Sequence, residues 1–121
     1  MDITGVDFVT LPAQDIEVSR AFYGDTLGLP FVKQWGDMPG LEFQAGNLTL
    51  ALMDPTAFGQ SFVAHAVPVA LHVDDVAAAR AELEAKGVAF LGETIDSGVC
   101  HQALFKDPAG NVLDLHHRYA G

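Results

Sequence analysis

Apolar and β-branched residues dominate positions 3–11 and give way at Pro12, which has no backbone N–H for a ladder, so this segment reads as a strand. Asp15 then stands where a helix N-cap belongs. Val18 and Phe22 lie four apart on one helical face with Ala21 beside them, and Leu27-Gly28 supplies a helix-ending glycine. Three short apolar segments follow at 31–35, 41–44 and 48–53. They are separated by a Gly/Pro-containing stretch at 36–40 and by Ala45-Gly46-Asn47, and they predict a three-strand meander.

Residues 55–64 have no clear period but contain Pro55, Gly59, Phe58 and Phe62, which reads as a connector with apolar handles. Beyond it the order begins again. Residues 67–73 form a strand pattern and Asp75 a cap; Val76, Ala79 and Leu83 make a helical stripe that Gly87 closes, with Glu82 and Lys86 paired at i,i+4. Segments 88–91, 99–105 and 111–117 complete a second meander, with 92–98 as a loop and Asp107-Pro108-Ala109-Gly110 as a turn. Asp15 answers Asp75, and Gly46-Asn47-Leu48-Thr49-Leu50 answers Gly110-Asn111-Val112-Leu113-Asp114. The chain is thus an internal repeat. The expected fold is α+β: two tandem βαβββ units, about 1–54 and 65–121, forming a curved, mostly antiparallel sheet that encloses a cup.

Composition narrows what such a cup holds. At 121 residues, half of them hydrophobic and 18% charged, the chain is expected to be one globular domain. A formal net charge of −10 repels nucleic acid and anionic membrane, and suits cationic or neutral small molecules. No apolar stretch approaches a membrane span and no leader pattern opens the chain, so a cytoplasmic location is expected. The single cysteine, Cys100, excludes an internal disulfide and a multi-cysteine metal site.

Two strings carry a wider resemblance: FVTLPAQDIEVSRAFYGDTLGLPF in the first half, and LHVDDVAAARAELEAKGVAF followed closely by FKDPAGNVLDL in the second. With them the chain resembles the vicinal oxygen chelate superfamily, which includes glyoxalase I, extradiol dioxygenases, fosfomycin-resistance transferases and bleomycin-resistance binding proteins. The resemblance implies that metal-using members hold one divalent cation at the positions of Phe8, Leu50, Pro68 and Asp114. Only Asp114 among these carries a donor, and a divalent cation needs several. The usual metal site is therefore expected to be absent, with no cofactor.

Strand parity places His72 on the face of Pro68, and His116 on the face of Asp114. If the first and last strands of the second unit are neighbours, His72, Asp114 and His116 converge. Such a group suits general acid/base chemistry, or a displaced site for Zn, Fe, Mn or Ni. The alternative for the His116-His117 pair is one inward, hydrogen-bonded ring and one solvated ring. Phe8 and Trp35 are suited to lining an apolar pocket for a flat molecule.

The expected ligand-binding set is thus Phe8, Trp35, Leu50, Pro68, His72, Asp114 and His116. Three functions compete. The first is a metal-free binding protein for an aromatic or cationic small molecule, as in bleomycin resistance. The second is a metal-dependent lyase, isomerase or dioxygenase, and the third is metal-free proton transfer. A homodimer is expected in each case, as the resemblance implies.

Overall fold

The two capping aspartates each open a helix. The computed structural model describes residues 1–121, which divide into two compact units, Met1–Val63 and Ala64–Gly121. In the first unit the Asp15 carboxylate accepts from the N–H groups of Glu17 and Val18, both at 3.2 Å, and starts α1 (Ile16–Ala21). The helix then widens into a π-turn over Phe22–Thr26, where the Leu27 N–H reaches back to the Phe22 carbonyl at 2.9 Å. Gly28 ends it at φ 72°, a left-handed conformation that glycine adopts without a Cβ clash.

The strands of this unit are β1 (Val9–Pro12), β2 (Phe31–Gln34), β3 (Gly40–Ala45) and β4 (Leu48–Met53), in spatial order β1-β4-β3-β2. β1 and β4 are parallel and the other pairs antiparallel. The second unit repeats this with β5 (Val69–His72), α2 (Val76–Ala85), β6 (Phe90–Asp96), β7 (Cys100–Lys106) and β8 (Val112–Arg118), in order β5-β8-β7-β6. Asp75 caps α2 by accepting from the Ala78 N–H at 2.9 Å. The architecture is the expected α+β, mostly antiparallel repeat, with one four-stranded mixed sheet in each unit. No helix is long and apolar enough to cross a membrane.

Two strands differ from the expected spans by more than two residues at one end. β1 spans only 9–12; Val9 stands opposite Leu50 and β4 begins at Leu48, so residues before Asp7 have no β4 backbone to pair with. β6 runs on to Asp96 through what reads as a loop, because a register irregularity between Leu91 and Ile95 absorbs Gly92 at φ 75° without ending the ladder.

Within each unit the helix covers one face of the sheet. Tyr23, Leu11, Leu41, Phe43, Leu50 and Leu52 are all buried in the first, as are Val76, Leu83, Ala103, Phe105, Leu113 and Leu115 in the second. Removing their surface from water is the main favourable term in folding. The repeat extends to one further device. The Arg20 guanidinium lies 4.4 Å from the centroid of Phe31, which meets Phe43 edge-on at 5.6 Å; Arg80 lies 4.7 Å from Phe90, which meets Phe105 at 5.2 Å. Each stack ties helix to sheet through a cation–π contact worth about 0.5–2 kcal/mol and an aromatic pair worth about 0.5–1.5 kcal/mol.

The register also corrects the match between the halves. Val9 pairs with Leu50 and Phe43 with Leu50, whereas Val69 pairs with Leu113 and Phe105 with Leu113. The β7–β8 turn is therefore one residue longer than the β3–β4 turn. In consequence the counterpart of Asp114 is Ala51, and that of Leu50 is Leu113.

Candidate functional site

The face of the first sheet not covered by α1 carries the alternate residues of each strand. Glu42 pairs with Lys33 on one side and Ala51 on the other, and Ala51 pairs with Thr10. At the end of β2 the Trp35 N–H donates to the Gly40 carbonyl at 2.9 Å, which sets Trp35 opposite Gly40 and lays its indole over that glycine. The indole Nε1–H donates to Glu42 Oε2 at 2.7 Å, a short charge-assisted bond that fixes the ring plane. Phe8, immediately before β1, completes the group: its ring centroid is 5.5 Å from that of Trp35 at an interplanar angle of 52°. Phe8 remains 42% exposed, so part of its ring is free to meet another molecule. Two aromatic surfaces beside a carboxylate form a platform suited to a flat, electron-poor or cationic partner.

The other expected residues are placed differently. Leu50 is fully buried on the helix-covered face, since it pairs with Phe43, whose ring lies 6.2 Å from that of Tyr23. The expectation that Leu50 faces a ligand is thus corrected, because the shorter β3–β4 turn moves every residue of β4 by one position relative to β8. Pro68 is exposed, one residue ahead of β5.

In the second unit β5 and β8 are parallel neighbours, with Ala70 opposite Asp114 and His72 opposite His116. Asp114 is only 3% exposed and its Oδ1 has no hydrogen-bond partner. Burial raises its carboxyl above the ordinary range, and the nearby His116 and the Ala103 backbone only partly oppose this. Between the unfolded and the raised folded pKa, the folded state binds more protons than the unfolded chain does. Any stability so gained is present at low pH and is lost as pH rises from the unfolded value through the raised folded one. Asp114→Asn should therefore stabilise the chain at pH 7 by about 1 kcal/mol, a rise of roughly 4 °C in Tm, with a smaller gain at pH 4. Paired thermal melts check this, and an equal gain at both pH values would contradict it.

The donors that gather in this unit are not the expected three. His72 Nε2 lies 3.1 Å from Asp74 Oδ1, and its ring centroid is 5.7 Å from that of His117. One donor atom from each of His72, Asp74 and His117 falls within 4.8 Å of the others, whereas Asp114 and His116 are not part of this group. Sequence reasoning missed Asp74 and His117. The signals were the His-x-Asp spacing at the end of β5 and the second histidine of the pair. His101 is held elsewhere, with Nε2 3.3 Å from Asp96 Oδ2 and its ring 4.8 Å from that of Tyr119.

Phe8, Leu50 and Pro68 offer no donor where the resemblance places a cation, nor does Ala51, which the register matches to Asp114, and Asp114 alone cannot hold one. These positions do not fit the usual metal.

A family profile described as Glyoxalase/Bleomycin resistance protein/Dioxygenase superfamily matches residues 5–115. Among solved structures, an antibiotic binding protein from Streptomyces sp. CB03234, TnmS3, is 31% identical, with a TM-score of 0.80 over 98% of each chain. A putative glyoxalase family protein from Bacillus anthracis is 22% identical, with a TM-score of 0.81 over 98% of each chain. A lactoylglutathione lyase from Agrobacterium tumefaciens is 21% identical, with a TM-score of 0.76 over 96% of this chain and 95% of that one. No curated protein is similar enough in sequence to register as a relative. The chain belongs to the glyoxalase/bleomycin resistance protein/dioxygenase superfamily.

Proposed function

We propose that this chain is a small-molecule-binding protein of the bleomycin-resistance type, which holds a flat aromatic or cationic compound without the superfamily's usual cation. The observation that carries this reading is the Phe8–Trp35–Glu42 platform: an aromatic ring stands where metal-using relatives have a ligand, and it packs on an indole that a carboxylate keeps in place. The 31% identity to an antibiotic binding protein over nearly the whole chain supports the same reading. The acidic net charge of −10 favours cationic compounds further. With the reading go a cytoplasmic location and a homodimer. A monomeric sedimentation profile at micromolar concentration would remove the dimer.

Trp35 is the only tryptophan, so its fluorescence reports on this face without interference. Titration with planar aromatic cations such as ethidium, and with uncharged planar analogues, should quench or shift its emission saturably. Phe8→Ala should weaken binding about five- to tenfold, the worth of one aromatic contact. Glu42→Gln should weaken the cations more than the neutral compounds. A flat response across both classes would defeat the proposal.

A further inference from the structure

We propose that His72, Asp74 and His117 form a binding site for one borderline divalent cation of the Zn2+ class, at the end of the β5–β8 ladder. Its residues all belong to the second unit, and those of the aromatic platform to the first. The parallel register places His72 beside His116, and the Val73 N–H donates to the His116 carbonyl at 3.0 Å, so the backbone on both sides is pinned where the donors emerge. Two imidazoles and a carboxylate are the ligand types that suit Zn2+ and its neighbours, with remaining positions left to water.

The donor atoms lie within 4.8 Å of one another, whereas ligands at roughly 2.0–2.2 Å from a common Zn2+ stand no more than about 4.4 Å apart. Closing that gap requires only side-chain rotation. The two outer members are free to make it: the His72 side chain is 69% exposed and that of Asp74 98%. His117 is the anchored member, and its buried Nδ1 has no hydrogen-bond partner. Native structures seldom leave such an atom unpaired, and an ion that His117 ligates through Nδ1 would satisfy it.

The test uses the untagged full-length chain, freed of metal by chelator dialysis. ZnSO4 is titrated by calorimetry, and Co2+ is titrated while its visible absorption is followed. One equivalent should bind, and His72→Ala and Asp74→Ala should each weaken it about tenfold or more. Both residues are exposed, so these variants retain the fold. His117→Gln should act likewise; should it fail to fold by circular dichroism, the other two variants decide. His65→Ala should bind as the parent does. No binding to the parent, or undiminished binding in both His72→Ala and Asp74→Ala, overturns the site.

Discussion

Replacing Gly40 by alanine should displace Trp35 from its seat, with a red-shifted emission, loss of ligand response and a stability loss of about 1–3 kcal/mol. Alanine usually improves a strand at a glycine, so the expected sign is unusual. Gly40 is not among the positive-φ glycines, and the backbone would accept a side chain. The difficulty is space, since a Cβ at this position would sit inside the indole of Trp35, against Cε3 and Cδ2. That indole cannot swing aside cheaply, because Phe8 packs on it and Glu42 holds its N–H. A Gly40→Ala variant with unchanged emission and unchanged melting would show that the indole is not seated over this glycine.

The second large effect is expected at Asn111→Ala, which should destabilise the chain by about 2–4 kcal/mol, read as a shift in urea midpoint at constant slope. Asn111 is fully buried. Its side-chain Nδ2 donates to Asp107 Oδ2 at 2.8 Å, its backbone N–H donates to Asp107 Oδ1 at 2.9 Å, and its Oδ1 accepts from the His65 N–H at 2.9 Å. One side chain thus closes the β7–β8 turn and fastens the approach to β5. Truncation would remove the amide donor to Asp107 Oδ2 and the acceptor of the His65 N–H together, which is why the cost exceeds that of one exposed hydrogen bond. Asn111→Asp should be at least as damaging, since it sets a second carboxylate against Asp107. A loss below about 1 kcal/mol in Asn111→Ala would show that water replaces the side chain there.

The architecture was legible because its signals are local. Asp15 and Asp75 act as caps, Gly28 ends the first helical segment, and β4 spans the residues that the apolar pattern marked. Misreadings arose where geometry depends on a partner strand. The extent of β1 is set by β4, and the continuation of β6 past Gly92 by its ladder with β7. The site was legible in part. Phe8 and Trp35 do meet, but Glu42, which orients the indole, gave no sign, because a strand carboxylate usually means only a solvated face. His72 was noticed for its parity with Pro68, yet its neighbours are Asp74 and the ring of His117, brought together by side-chain reach rather than by shared pleat. The Arg20–Phe31 and Arg80–Phe90 stacks went unread because each joins a helix residue to a residue of the next strand, a contact that neither element's own period reveals.

The one-residue difference between the β3–β4 and β7–β8 turns has a bearing on engineering. An attempt to graft a cation ligand into the first unit, guided by the matching Gly-Asn pairs, would choose Leu50 and drive a carboxylate into the layer beneath α1, beside Phe43 and Tyr23. The structurally matching choice is Ala51, whose neighbours in the ladder are Thr10 and Glu42. The length of a hairpin tip outside the strand thus decides whether the same substitution builds a site or breaks a core.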